Sequence, residues 1–389
     1  MDLDRRASLA GLLSLAASPA LAAAKTAKAA GGAKTPDHWA EIDATAKKLV
    51  ADRAIPGVSI RVARRGTPLF VKGYGWEDIE TGTPMSPAAV CRIGSITKQF
   101  TASVILQLAH EGKLSLDDNL AVYLPDFPNA QRLGLRRMLS HTSGLGNYTA
   151  VRPDLFLQAS RTDRDTAQLV EAMKPTSEKL AYEPGTDWRY SNTAYVLLGV
   201  VIEKVTGMAY AKAMEARLFA PLGLRHTAVD DAAMVVPNRA SGYSNDKKAE
   251  SGFDNASYIA MSYPGGAGNI RSTTGDLCAW HAQLLGGKVL DPGSLKAMLT
   301  PVTLNDGKLP TTPDGKGGKA DVHYGYGVSL DPHEGHPTVG HGGGIQGFAS
   351  YIETFTDLGV TWVTLTNTDS PPRDWSHLQE AVRKAAATA

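Results

Sequence analysis

Ser95 and Lys98 are the residues whose types and spacing most directly suggest covalent catalysis. A serine hydroxyl is a weak nucleophile at neutral pH and needs a base or a cation beside it. If a helix begins at the serine, Lys98 lies one turn later on the same face. Apolar residues at helical spacing between positions 96 and 108 predict that helix. Its N-terminus would leave a backbone N–H free to hold a developing oxyanion.

The same spacing occurs again at Ser244 and Lys247. That copy lies in a polar stretch without apolar periodicity, which predicts a loop. A four-residue pattern therefore carries weight only with partners elsewhere in the chain.

Tyr190-Ser191-Asn192 is a second group with chemical potential, because it precedes an apolar helix predicted over 194–205. A phenol can shuttle a proton between a nucleophile and a leaving group, and a carboxamide can orient a substrate amide. A half-buried tyrosine followed by Asn192 as a helix cap is the commoner outcome for such residues. Taken alone, the triplet favours that structural interpretation.

His341-Gly342-Gly343-Gly344 is the third group and lies just before a predicted hairpin. Glycines let a ligand approach the backbone closely, and a backbone N–H here could complete an oxyanion hole. The glycines also fit a dinucleotide-binding pattern, but strand-like residues follow where that site needs a helix.

The elements that must position these groups are strands at both ends of the chain with helices between. Alternating apolar residues predict one hairpin around Arg65-Gly66 and another formed by 348–355 and 360–366. A helix opens the mature chain, another follows position 375, and 124–230 is mostly helical. Distant parts of the sequence would thus build one antiparallel sheet with a helical insertion.

Composition narrows the class of protein. The 389 residues carry 40 Lys and Arg against 39 Asp and Glu, and no basic stripe, which argues against a nucleic-acid partner. Cys91 and Cys278 are predicted to be small buried apolar residues in preference to a disulfide, and they are too few for a structural zinc site. We predict no metal and no cofactor.

The first residues are typical of an export signal. Arg5-Arg6 precede an apolar run, and Ala20-Leu21-Ala22 offers a cleavage site. The run resembles a twin-arginine signal, with an ordinary secretory signal as the alternative and a cytosolic amphipathic helix as a third. We expect a signal peptide at 1–24, a flexible tether at 25–35, and a periplasmic protein without stable membrane insertion after cleavage.

The ordered set Ser95-x-x-Lys98, Tyr190-Ser191-Asn192 and His341-Gly342-Gly343 resembles the active-site motifs of serine β-lactamase-like hydrolases. That family includes class C β-lactamases, DD-carboxypeptidases, D-aminopeptidases and β-lactamase-fold esterases. Further similarities lie at 138–145, at Pro184-Gly185, and in 221–224, 265–276 and 340–348. The resemblance extends from about position 36 to the C-terminal helix.

The resemblance implies an α/β fold of the α+β type, an antiparallel sheet flanked by helices with a mostly helical subdomain. One hydrolase domain would occupy 36–389, its sheet part at about 36–123 and 231–389, its helical part at about 124–230. Ser95 would be the acylated nucleophile, Lys98 its charged neighbour and Tyr190 the general base and then acid. Asn192, His341, Gly343 and Gly344 would bind substrate, and the N–H groups of Ser95 and Gly344 would form the oxyanion hole. The sequence leaves open whether Lys98 or Tyr190 takes the first proton.

One departure bears on the substrate. Many β-lactamases carry Lys-Thr-Gly where this chain has His341-Gly342-Gly343, so a substrate carboxylate loses a cation and a hydroxyl. The leading expectation is therefore an exported serine hydrolase acting on small esters, amides or D-amino-acid peptides. A DD-carboxypeptidase or β-lactamase is the second possibility, and a non-hydrolytic penicillin-binding sensor the third.

Overall fold

A six-stranded antiparallel sheet assembled from both ends of the chain is the scaffold of the fold. The computed structural model describes residues 37–150, 153–313, 317–372 and 374–389. Within them the strands are β1 (Gly57–Arg64), β2 (Thr67–Asp78), β3 (Thr83–Pro84), β4 (Cys91–Arg92), β5 (Ala228–Val229), β6 (Tyr243–Asn245), β7 (Phe253–Asn255), β8 (Ile270–Ser272), β9 (Thr311–Pro313), β10 (Lys319–Asp321), β11 (Thr338–Ile345), β12 (Phe348–Phe355) and β13 (Val360–Thr366). The large sheet has the order β11-β12-β13-β1-β2-β3, so the final strands pair with the first.

Helices pack against the sheet, and most of them come from the segment of the sequence between β2 and β11. The α-helices are α1 (Asp37–Ala51), α2 (Thr97–His110), α3 (Leu135–Leu139), α4 (Pro153–Ala159), α5 (Thr166–Met173), α6 (Asn192–Thr206), α7 (Tyr210–Met214), α8 (Gly265–Gly268), α9 (Thr274–Leu285), α10 (Pro292–Met298) and α11 (Trp375–Thr388). A π-helix, Glu215–Phe219, continues α7, and short 3-10 turns include Gly94–Ile96 before α2.

The two faces of the sheet are buried in different clusters, as the period of two in a strand requires. Val58, Ile60 and Val62 of β1 face α1 and α11, and all three are fully buried. The opposite face, together with α2, α6 and α9, encloses the larger apolar core. The predicted antiparallel sheet flanked by helices is confirmed, and so are both hairpins.

The structure revises several local expectations. Residues 243–245, expected in a loop, form the short strand β6 paired with β7. The glycine-rich segment expected only to precede a hairpin is itself a strand, β11. Cys91 and Cys278 are free and buried, as predicted. The proposed signal and tether, 1–35, lie outside the described residues.

In the described part of the chain, no single helix is both long and apolar enough to cross a membrane. The segments Asn192–Thr206 and Tyr210–Phe219 meet that length and composition only as a pair bent by 78°.

Candidate active site

Ser95 lies in the 3-10 turn Gly94–Ile96, immediately before α2. Gly94 has a φ of +47°, a conformation that a side chain disfavours. A Cβ on Gly94 would also lie 2.8 Å from the backbone nitrogen of Gly344, so glycine is required on steric grounds too. The turn therefore presents Ser95, which is partly exposed, at the positive end of a buried helix.

Lys98 points its ammonium nitrogen at Ser95 from inside the protein. Its Nζ lies 3.0 Å from Ser95 Oγ, 2.8 Å from Asn192 Oδ1 and 2.8 Å from the carbonyl oxygen of Ala267. All three partners are neutral oxygens, and the lysine is fully buried. Burial therefore moves the pKa of Lys98 well below its ordinary value, because the charged form has lost its water without gaining a carboxylate.

The partners of Lys98 fix the direction of its lone pair. A carbonyl oxygen can only accept, so Asn192 Oδ1 and Ala267 O each require an N–H from the lysine. A neutral amine has only two N–H groups, and its remaining position is the one that faces Ser95 Oγ. In the deprotonated state the serine O–H therefore donates to Lys98 Nζ, which is the arrangement of a nucleophile and its base.

Tyr190 lies over the same lysine. Lys98 Nζ is 4.8 Å from the centre of its ring, and the phenol oxygen is buried without a well-formed hydrogen bond in the described structure. Burial raises the pKa of Tyr190, and a contact with Ser95 opposes that rise. The phenol accordingly keeps its proton and is free to donate it to a group that enters beside Ser95.

Asn192 is the first residue of α6, and Ser191 caps that helix by accepting from the Ala194 N–H at 3.2 Å. The Asn192 side chain binds Lys98 through its oxygen, and its Nδ2 donates to Thr149 Oγ1 at 3.2 Å. Thr149 is exposed, so this second contact lies at the solvent edge of the site. A substrate acceptor could replace Thr149 there without disturbing the lysine.

The edge strand β11 forms the opposite wall. A Cβ on Gly343 would lie 2.1 Å from the carbonyl oxygen of Ile93, so only glycine lets the strand approach the Ser95 turn this closely. Ser350 on β12 fastens the contact by donating to Ile93 O at 2.9 Å. Gly344 is exposed, and its backbone lies against Gly94. This places it where its N–H and that of Ser95 can face one substrate oxygen.

Behind Tyr190, a buried tyrosine joins two histidines. Tyr324 Oη lies 3.2 Å from His141 Nε2 and 2.9 Å from His341 Nε2. His141 Nδ1 accepts from the Ser191 N–H at 3.2 Å, whereas His341 Nδ1 donates to the Gly342 carbonyl at 2.5 Å. These two outer hydrogen bonds fix which ring nitrogen of each histidine carries the proton. His141 therefore donates to Tyr324, and Tyr324 donates to His341. We call these three residues the Tyr324 bridge.

The histidines of the Tyr324 bridge are held neutral. Burial lowers the pKa of His141 well below its usual range and that of His341 to about 4, and both are lowered further whenever Lys98 carries a proton. The His141 ring packs 4.3 Å from the Tyr190 ring, centre to centre. The bridge therefore supports Tyr190 from behind without adding a positive charge to the site.

The structure brings Ser95, Lys98, Tyr190 and Asn192 together and lays Gly343 and Gly344 against the Ser95 turn. His341 lies beside them, but both of its ring nitrogens are occupied within the protein. Neither ring nitrogen of His341 is therefore left for the predicted contact with substrate.

Sequence reasoning missed Tyr324 and the carbonyl of Ala267, and it gave no role to His141. The glycine run at 265–268 was the one signal for the Ala267 contact.

Comparison with known proteins agrees with this geometry. The family model described as Beta-lactamase matches residues 42–387. Penicillin-binding protein 4* of Bacillus subtilis is 28% identical over 342 residues, covering 84% of this chain and 71% of that protein. Protein flp of Staphylococcus aureus (strain COL) is 30% identical over 214 residues, which are 54% of this chain and 42% of that protein. The chain thus spans less than half of the staphylococcal protein's length.

Solved structures give the same result over more of the chain. A D-stereospecific amidohydrolase from Streptomyces sp. superposes with a TM-score of 0.73 at 31% identity, covering 90% of this chain and 98% of that one. D-amino acid amidase from Ochrobactrum anthropi SV3, in complex with L-phenylalanine amide, superposes with a TM-score of 0.75 at 25% identity. That match covers 90% of this chain and 99% of the amidase.

Proposed function

The chain belongs to the beta-lactamase family of serine hydrolases, and from that premise we propose that it hydrolyses small amides and esters of D-amino acids through an acyl-enzyme at Ser95. The observation that carries the proposal is the buried Lys98. Two of its contacts are fixed acceptors, and the third is the Ser95 hydroxyl. A lysine so placed is a base matched to one nucleophile.

In the acylation step the Ser95 oxygen attacks the substrate carbonyl carbon, and its proton passes to the neutral amine of Lys98. The carbonyl oxygen becomes an oxyanion, which the N–H groups of Ser95 and Gly344 would stabilise. Collapse of this intermediate breaks the carbon–nitrogen or carbon–oxygen bond. Tyr190, whose pKa is raised by burial, donates its proton to the leaving group and recovers one from the Lys98 ammonium.

Deacylation repeats these steps with water. The water oxygen attacks the acyl carbon after giving its proton to the Lys98 amine, and Ser95 leaves as a hydroxyl that receives this proton. The carboxylic acid and the free enzyme result. In this proposal Lys98 is the base and Tyr190 the proton donor, and the support for that choice is the set of Lys98 contacts.

The substrate class rests on relatives and on the charges of the site. Two structural relatives are described as a D-stereospecific amidohydrolase and a D-amino acid amidase. Where many β-lactamases have Lys-Thr-Gly, this chain has His341 in place of the lysine and Gly342 in place of the threonine. Burial keeps His341 neutral. A substrate without a carboxylate at this position is therefore favoured over a β-lactam.

The proposal is tested with four substrates and two serine variants. We expect the mature protein to hydrolyse D-phenylalanine amide faster than L-phenylalanine amide, and p-nitrophenyl acetate faster than a chromogenic cephalosporin. Ser95→Ala should lower these rates by several orders of magnitude. Ser244→Ala, in the second copy of the motif, should change none of them. Faster turnover of the cephalosporin than of both the ester and the D-amide would favour a β-lactamase instead.

We also propose that the protein is exported, on the strength of Arg5-Arg6 and the cleavage site near Ala22. Mass spectrometry of the protein from its native host should give an N-terminus near Lys25. Recovery of soluble cytoplasmic protein with Met1 intact would refute export.

A further inference from the structure

Three arginines surround one buried carboxylate close to the catalytic serine. Asp230 Oδ2 accepts from Arg92 Nε at 2.9 Å, and its Oδ1 lies 3.0 Å from Arg239 Nη2 and 3.3 Å from Arg271 Nη1. Asp230 is only 5% exposed. We call this group, with the cavity it lines, the arginine pocket.

The charges of the arginine pocket do not balance. Three guanidinium groups share one carboxylate, which leaves an excess of two positive charges. Arg271 is nine-tenths buried, and the Nε atoms of Arg239 and Arg271 have no hydrogen-bond partner within the described structure. Partly buried positive charge without enough carboxylate partners is costly, so this cluster favours an anion in the adjoining cavity.

The cavity beside these arginines can admit a small group. Its volume is about 210 Å³, and Ser257, Tyr258 and Gln346 also line it. Tyr258 is half exposed, so the cavity opens to solvent there. Hydroxyl, phenol and carboxamide groups can each donate to an oxyanion that the guanidinium groups attract.

The arginine pocket lies within reach of a substrate bound at Ser95. Arg92 precedes Ser95 by three residues, so their Cα atoms are at most about 11 Å apart. Gln346 follows Gly344 by two residues, and Gly344 lies against Gly94. The pocket is thus at the Gln346 end of β11. His341, at the position of the β-lactamase lysine, is about 13 Å from Ile345 along the strand.

We propose that the arginine pocket is a subsite for a carboxylate on the acyl half of the substrate. This subsite takes its reaction from the proposed function and adds to it a preference among acyl groups. It assigns acidic acyl groups, such as a dicarboxylic acid joined to a D-amino acid, as preferred over neutral ones. The carboxylate would bind Arg239, which lines the cavity and whose side chain is 26% exposed, without displacing Asp230.

Binding of a matched pair of products tests the subsite independently of turnover. N-succinyl-D-alanine and its neutral succinamoyl analogue differ only in a terminal carboxylate. In calorimetric titrations of the wild-type protein, we expect the acid to bind about tenfold more tightly than the amide, since a charge-assisted hydrogen bond has that worth. The p-nitroanilides of the same pair should show the preference in KM with similar kcat.

Variants locate the effect. Arg239→Gln should remove most of the preference, and Gln346→Glu, which places a like charge at the rim, should reverse it. Arg217→Gln removes an arginine that pairs with Glu111 elsewhere, and it should leave the preference intact. Circular dichroism and urea unfolding establish that each variant is folded. If Arg239→Gln does not fold, Gln346→Glu alone decides the matter.

The outcomes separate the two proposals. Equal binding of acid and amide by the wild-type protein would overturn the subsite and leave the arginines as a structural ion network. Loss of preference in Arg217→Gln as large as in Arg239→Gln would overturn it as well. Tighter binding of the acid without hydrolysis of either anilide would support the subsite and count against the proposed function.

Discussion

Tyr324→Phe removes one hydroxyl from the middle of the Tyr324 bridge and keeps the ring that packs around it. Two buried hydrogen bonds are lost, at 3.2 Å to His141 and 2.9 Å to His341. Each is worth about 1 kcal/mol net, and each histidine nitrogen left unpaired adds about 1–3 kcal/mol. Partial relaxation reduces that sum, so we expect the free energy of unfolding to fall by about 2–4 kcal/mol.

The same substitution should affect catalysis through Tyr190, because the His141 ring that supports it loses its anchor. We expect kcat for p-nitrophenyl acetate to fall about tenfold with little change in KM, since misplacement of a proton donor acts mainly on the transition state. Urea unfolding and steady-state kinetics measure the two effects.

Tyr326→Phe is the matched control for Tyr324→Phe. Tyr326 follows Tyr324 by two positions, and among the described residues its hydroxyl has one hydrogen-bond contact, at 3.5 Å to Arg136 Nη1 in an exposed setting. We expect less than about 0.5 kcal/mol of destabilisation, as for most surface substitutions. If Tyr324→Phe is no more destabilising than this control, the Tyr324 bridge does not have the role assigned to it.

Three further predictions concern protons. Burial lowers the pKa of His141, His281 (to about 3) and His341 (to about 4), so each takes up a proton on unfolding below about pH 6.5. Their stabilising effect is complete above that pH and is lost as the pH falls. His281 and His341 together should lower the free energy of unfolding by about 2 kcal/mol per pH unit between pH 6 and 5, and His141 acts in the same direction. A free energy of unfolding, measured with urea, that is flat over this range would refute the prediction. Arginine cannot deprotonate, so Lys98→Arg should lower kcat for ester hydrolysis about 10²–10⁴-fold. A smaller loss would contradict the assignment of Lys98 as the general base. Lys98→Ala/Tyr190→Phe should be scarcely worse than the worse single variant, whereas multiplicative losses would show independent action.

Motif order and periodicity predicted the family and the sheet, and both predictions are confirmed. The structure also brings Ser95, Lys98, Tyr190 and Asn192 together, because one helical turn joins the first pair and a helix start positions the second. The strand β11 was missed because Gly342, Gly343 and Gly344 have low strand propensity. The structure shows that tertiary contact with the Ser95 turn excludes any side chain there.

The Tyr324 bridge could not be predicted from the sequence either. Its members are separated by 183 and 17 positions, and no local pattern relates them. The position of His341 likewise suggested a group that contacts substrate. Only the three-dimensional contacts show that both of its ring nitrogens are bound within the protein. The arginine pocket illustrates the same limit, because its four charged residues come from separate segments.

Covalent labelling tests most directly whether Ser95 is the residue that becomes acylated. The wild-type protein, Ser95→Ala and Ser244→Ala are each incubated with a fluorophosphonate, digested and analysed by tandem mass spectrometry. We predict one modified residue, Ser95, in the wild-type protein and in Ser244→Ala, and no modification in Ser95→Ala. Labelling of Ser244 or of another serine in place of Ser95, or undiminished labelling of the Ser95→Ala variant, would contradict the assignment.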